Sequence, residues 1–378
     1  MWTSRGTPGG ASREEMWRSR GGPRVADNSR PASLYDTRRP MRRTVWTTLG
    51  MTALLGTAWA QNQPLPRDGV LQANVGRVRL QAPAPTAGAQ GTAQAPTARP
   101  SGRMFGGVSE DRILEAIRTA HIDGRHNVGS TSVNFHLVLS GGIDAAWKPC
   151  YVDHCERYRA EIAAYRLNRL LGLTRVPPAV SRVVSRGSLR LARPTTIPIV
   201  FDRADEARGA AIYWVPVMRD SGIDRERDIE RWTRWLHQGG DIPADQSTRA
   251  EEVSTLLAFD FLTGNWDRWS GSNVPMDPGG HLVYRDNNGG FEEPFVEGLM
   301  RRSMQWLRHT EKFKRSVIDR ARGLTEASVR AEMALDPDRA HPPLTDPQIR
   351  SLLRRRDALV QYVDGLVARH GARNVYVW

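Results

Sequence analysis

The stretch GNWDRWSGSN, Gly264–Asn273, and the stretch YRDNNGGF, Tyr284–Phe291, carry one aspartate each, Asp267 and Asp286, nineteen residues apart. Between them NVPM, DPGG and HLVYRD read as two short strands around a Gly-rich turn, a hairpin whose ends set Asn273 beside Asp286. A loop carboxylate, a turn carboxylate and a carboxamide thus gather at one end of one hairpin. Such oxygen groups hold a divalent ion or take up a proton.

Working outward, a helix from about Arg249 to Leu262 leads into the loop, with Val253, Leu256, Leu257 and Phe261 on one side. Asp260 falls on that apolar face. The expectation is a buried carboxylate satisfied by backbone N–H groups of the following turn, bracing the loop that carries Asp267, rather than direct catalysis. Further upstream, the run SVNFHLVL, a Gly-Gly turn and IDAAWKP predict a hairpin ending at Lys148. Next, RYRAEIAAYRLNRLLG is helical, with Ala160, Ala163, Ala164, Leu167, Leu170 and Leu171 on one face and Gly172 as stop signal. Glu161 projects about 60° from that stripe, at its rim, where it reaches a partner on the packed sheet. Strands are expected at Ala179–Val184 and Ala211–Met218, helices at Asp111–Ala120 and Asp224–His237, and a mainly helical region from Met300 to about His370. Strands first and helices last imply an α+β protein of two lobes, an antiparallel-sheet lobe over 104–218 and a mainly helical lobe over 219–378.

Of 54 basic residues only Lys148, Lys312 and Lys314 are lysines. Lysine kept against so strong an arginine bias marks a place for a compact point charge, which a planar guanidinium replaces poorly between two phosphates. Phosphoryl transfer from ATP needs a cation on the phosphates, a group holding that cation, metal ligands and a carboxylate at the nucleophile. Lys148, Glu161, Asp267, Asn273 and Asp286 occur in the required order, with Mg²⁺ or Mn²⁺ as the fitting ion. Singly, each is an ordinary surface lysine, turn or salt bridge; in combination they point to a kinase.

These stretches resemble the four-jointed and Golgi casein kinase group of secretory-pathway kinases. The resemblance rests on AWKP at Ala146–Pro149, EIAAYRLNRLLGLTRVPPAV at Glu161–Val180, FDFLTGNWDR at Phe259–Arg268 and RDNNGGF at Arg285–Phe291. It implies an atypical, bilobal protein-kinase-like fold working outside the cytosol. Carried over, Lys148 would contact phosphate, Glu161 pair with it, Asp267 act as base and Asp286 bind metal. The spacer from Asp267 to Asn273 is one residue longer than the usual kinase loop, which leaves Ser272 or Asn287 as alternatives to Asn273. No G-x-G-x-x-G precedes Lys148, so phosphate cover falls to the turn at Ser140, Gly141 and Gly142 or to the loop from Gly124 to Ser130. A metal-dependent kinase acting on Ser or Thr of an exported protein is the expected activity. A glycan kinase, a nucleotidyl transferase and a silent pseudokinase scaffold are the alternatives.

Residues 1–60 hold +6 of the net charge of +13 and residues 61–103 hold +4, leaving +3 for the remainder. So nearly balanced a folded region argues against nucleic acid as partner. From Met41, MRRTVWTTLGMTALLGTAWAQ reads as an export signal over 41–60, with translation expected to start at Met41. Its apolar run is too short for a stable span, so the mature protein is expected to be exported without a membrane anchor, the alternative being a cytoplasmic tail before a weak anchor. The Pro-, Ala- and Gln-rich segment 61–103 reads as a disordered linker. Cys150 and Cys155, the only two cysteines, are expected to form a disulfide in an exported chain, with two buried thiols as the alternative.

Overall fold

A computed structural model of the chain describes residues 102–128, 134–189, 198–270 and 273–378. The N-terminal extension, the segment 41–60 read as an export signal and nearly all of the expected linker lie outside them, as do Ser272, Ser130 and the end of the loop expected from Gly124. Arg103, expected as the last linker residue, is already ion-paired with buried Glu110 at 3.1 Å.

The chain opens with a small hairpin, β1 (Met104–Phe105) and β2 (Val108–Ser109), then α1 (Glu110–Thr119). Five antiparallel strands follow around two helices: β3 (Ile122–Val128), β4 (Asn134–Leu139), β5 (Ala145–Pro149), α2 (Arg157–Leu170), β6 (Ala179–Ser185), the short α3 (Arg186–Leu189) and β7 (Glu206–Tyr213). Their order in the sheet is β3-β4-β5-β7-β6. The expected hairpin is β4 and β5, in register Phe135 with Trp147 and Leu137 with Ala145.

Alternation in this hairpin decides where Lys148 points. Phe135, Leu137, Leu139, Ala145 and Trp147 are buried on the side of Ile113 and Ile117 of α1. Lys148, between Trp147 and Pro149, therefore emerges on the opposite face. There α2 packs its Ala160, Ala163, Ala164 and Leu167 with Ala210 and Ile212 of β7 in a second core.

The remaining described residues are mainly helical: α4 (Glu226–Leu236), α5 (Ser247–Thr263), α6 (Glu297–Leu307), α7 (Arg315–Arg322), α8 (Glu326–Met333), α9 (Asp346–His370) and α10 (Ala372–Val375). α5 is buried along nearly its whole length, and Leu352, Leu359, Val363 and Leu366 of α9 join its core. Truncating one such leucine to alanine costs about 2–5 kcal/mol.

Two elements differ from expectation. The strand expected at Ala211–Met218 runs from Glu206 to Tyr213. Pairing on both sides, with β5 and β6, holds the polar start EARGA in the sheet, whereas WVPVM leaves it. The loop expected from Gly124 begins instead as edge strand β3, with an irregularity between Ile122 and Gly124. Among the described residues no helix is long and apolar enough to cross a membrane.

Candidate active site

Lys148 stands near the end of β5, opposite Ala210 of β7. Its Nζ donates to Glu161 Oε1 at 2.5 Å and to Asp286 Oδ1 at 2.6 Å. Three side chains spread over 138 positions thus meet at one ammonium. Burial alone would lower the lysine pKa, but the two carboxylates outweigh it and raise it, so the ammonium stays charged. For Asp286, burial acts to raise the pKa and is outweighed by Lys148, which holds it below the usual carboxylate value.

Glu161 is buried, and its second role lies outside the sequence reading. Its Oε1 accepts the backbone N–H of Asn287 at 3.0 Å and its Oε2 the Asn287 amide at 3.3 Å. The glutamate therefore holds both the lysine and the turn bearing Asp286. That turn places Asp286 at φ +60°, a left-handed conformation uncommon for a residue with a side chain and tolerated best by Asp, Asn and Gly. Asn287, one alternative for the second metal ligand, is committed elsewhere: its oxygen accepts Arg268 Nη2 at 2.6 Å and its amide also donates to Tyr284 O at 3.1 Å.

Arg268 is the hub of the loop. It is fully buried and pairs with Asp260 through Nε and Nη2 at 3.0 Å each. It also donates to the carbonyls of Asn273, at 3.3 Å, and Arg285. Asp260 is thus satisfied by a guanidinium and not by the backbone N–H groups expected for it, although it braces the loop as foreseen. Burial pushes its carboxyl up to about 6 against the opposing pull of Arg268.

Asp267 sits between these anchors, partly exposed. Its N–H donates to Asn265 Oδ1 at 3.2 Å, and its carbonyl accepts Asn273 Nδ2 at 3.1 Å. Asn265 in turn donates to Asp286 O at 3.2 Å, tying loop to turn. Gly289 closes the contact, since a Cβ there would lie 3.1 Å from Asp267 Cβ and 3.0 Å from Asn265 Oδ1. The structure therefore brings Lys148, Glu161, Asp267, Asn273 and Asp286 into one connected site.

Gly141 and Gly142 stand apart from it. Their turn joins the end of β4 to the start of β5, whereas Lys148 is one residue past the Phe135–Trp147 pair, toward the other end of the hairpin. The second expected hairpin survives as a turn, with Gly280 N–H to Asp277 O at 3.0 Å and a single bridge from Met276 to Leu282. Glu252 of α5 fixes its returning arm by accepting Leu282 N–H at 2.9 Å and, through its carbonyl, Tyr284 Oη at 2.7 Å.

As donors for a cation, Asp286 offers a carboxylate that spends one oxygen on Lys148 and keeps its side chain 38% exposed. Such hard oxygens suit Mg²⁺ or Mn²⁺. No group of three or more His, Cys, Asp or Glu among the described residues could hold a metal by itself. An ion at Asp286 would take its other ligands from Asn273, water or a bound phosphate.

A sheet-bearing lobe and a helical lobe meeting at a lysine, a glutamate and two loop aspartates define the bilobal, kinase-like α+β class. The fold matches a crystal structure of the Golgi casein kinase over 70% of this chain and 78% of that one, at TM-score 0.52 and 17% identity. It matches the structure of hydra Fam20 over 70% and 91%, at TM-score 0.50 and 18% identity. In sequence the chain is similar to human (Homo sapiens) four-jointed box protein 1, 29% identical over 58% of this chain and 57% of that protein. It is also similar to Danio rerio glycosaminoglycan xylosylkinase, 25% identical over 70% and 77%, and to human pseudokinase FAM20A, 24% identical over 60% and 50%. No family model matches the chain. The chain spans little more than half the length of several of these relatives, and across that span it is a homologue of the four-jointed and Golgi casein kinase group.

Proposed function

We propose that this protein is an exported, metal-dependent kinase that moves the γ-phosphoryl group of ATP to a hydroxyl, on Ser or Thr of an exported protein or on a glycan. The observation that carries the reading is the Lys148 ammonium held between Glu161 and Asp286 beside the loop of Asp267. Support comes also from relatives whose names include a xylosylkinase and an extracellular serine/threonine kinase, and from a Golgi casein kinase structure with Mn/ADP bound. Residues 104–218 and 219–378 are assigned as the two lobes.

In this reading Lys148 meets the phosphates while Glu161 fixes its position. A triphosphate competes with Asp286 for the ammonium, which frees that carboxylate, with Asn273, for Mg²⁺ or Mn²⁺. Held there, the ion would supply positive charge to the phosphates. Asp267 accepts the proton of the attacking hydroxyl. An open groove of about 550 Å³ on α6, lined by Arg301, Arg302, Gln305, Trp306 and His309, gives an acceptor room to dock, and its Trp306 stacks on Trp269 of the same loop at 4.6 Å.

Incubation with Mn²⁺ and either γ-labelled or α-labelled ATP, with dephosphorylated casein and a xylose-bearing glycan as acceptors, tests the assignment. Label from γ alone is expected. Label from α would mean nucleotidyl transfer, and nucleotide binding without transfer would mean a pseudokinase scaffold.

A further inference from the structure

We propose that the Cys150–Cys155 disulfide positions Lys148 against Glu161, so that a thiol reductant loosens the nucleotide site while the fold persists. The proposal rests on the kinase reading only for what the loosened site would bind. Cys150 directly follows β5, two residues beyond Lys148, and its backbone is fixed by donation to Arg208 O at 2.7 Å and by acceptance from Val200 N–H at 3.0 Å. Cys155 lies two residues before α2 and six before Glu161. The bridge, with its Cα atoms 4.2 Å apart, therefore joins the lysine's strand covalently to the glutamate's helix.

A second observation makes that link more than decoration. The N-cap of α2, Glu156, makes no side-chain cap hydrogen bond, and the first turn of the helix has no acidic residue. A helix start lacking these supports is where fraying begins. Between the cysteines the chain turns through Asp153 at φ +69°, with Val152 N–H donating to Pro198 O at 3.0 Å and His154 N–H to Tyr151 O at 3.2 Å, and Arg157 N–H to His154 O at 3.2 Å leads into α2. Tyr158 in the first turn and Ile162, Ala163, Ala164, Tyr165 and Leu167 beyond it are buried, so cutting the bridge loosens the connection from Cys150 to Glu156 and leaves α2 packed.

Cys150 is buried and Cys155 exposed, which fixes the chemistry. A dithiol reductant attacks the Cys155 sulfur as thiolate, the S–S bond breaks, and Cys150 leaves as a thiolate that takes a proton. The reductant's second thiol then displaces Cys155, giving two protein thiols and the oxidised, cyclic reductant. With no third cysteine in the chain, reoxidation restores the same bridge.

The test compares full-length oxidised protein, dithiothreitol-reduced protein and Cys155→Ser. It reads the acylation rate of Lys148 by mass spectrometry and the affinity for Mn·ATP by calorimetry, with far-ultraviolet circular dichroism as a control for folding. Reduction is expected to speed Lys148 acylation several-fold and to weaken Mn·ATP about tenfold, with the dichroism unchanged and recovery on reoxidation in all but the serine variant. Acylation at an unchanged rate overturns the proposal, whatever the nucleotide does. Faster acylation in a protein that binds no nucleotide in either state upholds the positioning role and refutes the kinase reading instead.

Discussion

At the scale of single residues, the three lysines divide by task. Lys148 joins two carboxylates, Lys312 donates to the carbonyls of Trp235 at 2.8 Å and Gly240 at 2.5 Å, and Lys314 pairs with Glu251 at 2.5 Å. Rarity thus marked one position in the candidate site and two that hold the fold together. Arg268 and Asp260 form a buried pair in which removing one partner strands the other's charge. Arg268→Gln or Asp260→Asn is expected to cost about 3–5 kcal/mol by urea denaturation, and the double variant to cost less than the sum. Strict additivity would show that the two act separately. Asp267→Asn should keep Mn·ATP affinity and lose transfer by about 10²–10⁴-fold; undiminished turnover would remove it as the base.

At the scale of elements, the loop that carries Asp267 depends on how α5 ends. Gly264 terminates it at φ +68°, and a Cβ there would meet the Phe295 ring at 2.6 Å. Behind Phe295 stands the Arg355 guanidinium at 4.5 Å, which accepts its place by donating to Leu262 O at 2.9 Å. Gly264→Ala is therefore expected to lower stability by about 1–3 kcal/mol in thermal or urea unfolding; a neutral result would mean that Phe295 yields freely. The helices α2 and α5 were legible to within two residues because long apolar periodicity leaves few alternatives. Strand β3 and the first half of β7 were not, since GRHN and EARGA carry little strand preference and owe their state to neighbours across the sheet. The candidate site was legible as residue types in order: Lys148 at the end of a strand, Glu161 at the rim of a helical stripe, and Asp267 and Asp286 beside turn signals. Its bracing by Arg268, Asn265 and Asn287 was not, because an Arg or Asn beside an Asp has no local signature until the chain folds.

At the scale of the whole molecule, most of the net positive charge lies in residues 1–103, so the electrostatics of residues 104–378 are those of local pairs. The Lys148 bridge is the pair that joins sheet, α2 and the Asp286 turn, and its titration can be followed as stability. Lys148 is raised in the folded state, so its contribution is complete below the unfolded lysine value near 10.4 and fades as pH climbs through the folded one. Asp286 is depressed, so its contribution is complete above the unfolded carboxylate value near 3.9 and fades as pH falls through the folded one. Between these limits Asp286→Asn should melt below the native protein, and the gap should close progressively in acid as the native carboxylate is protonated and comes to resemble the amide. Melting curves from about pH 2 to 8 read this directly, because Lys148 stays charged across that range and Asp286 is the member of the pair that titrates in it. A gap that stays constant into acid would show that Asp286 is not ionised against Lys148, and with it the charge arrangement proposed for holding a metal-bound phosphate would fall.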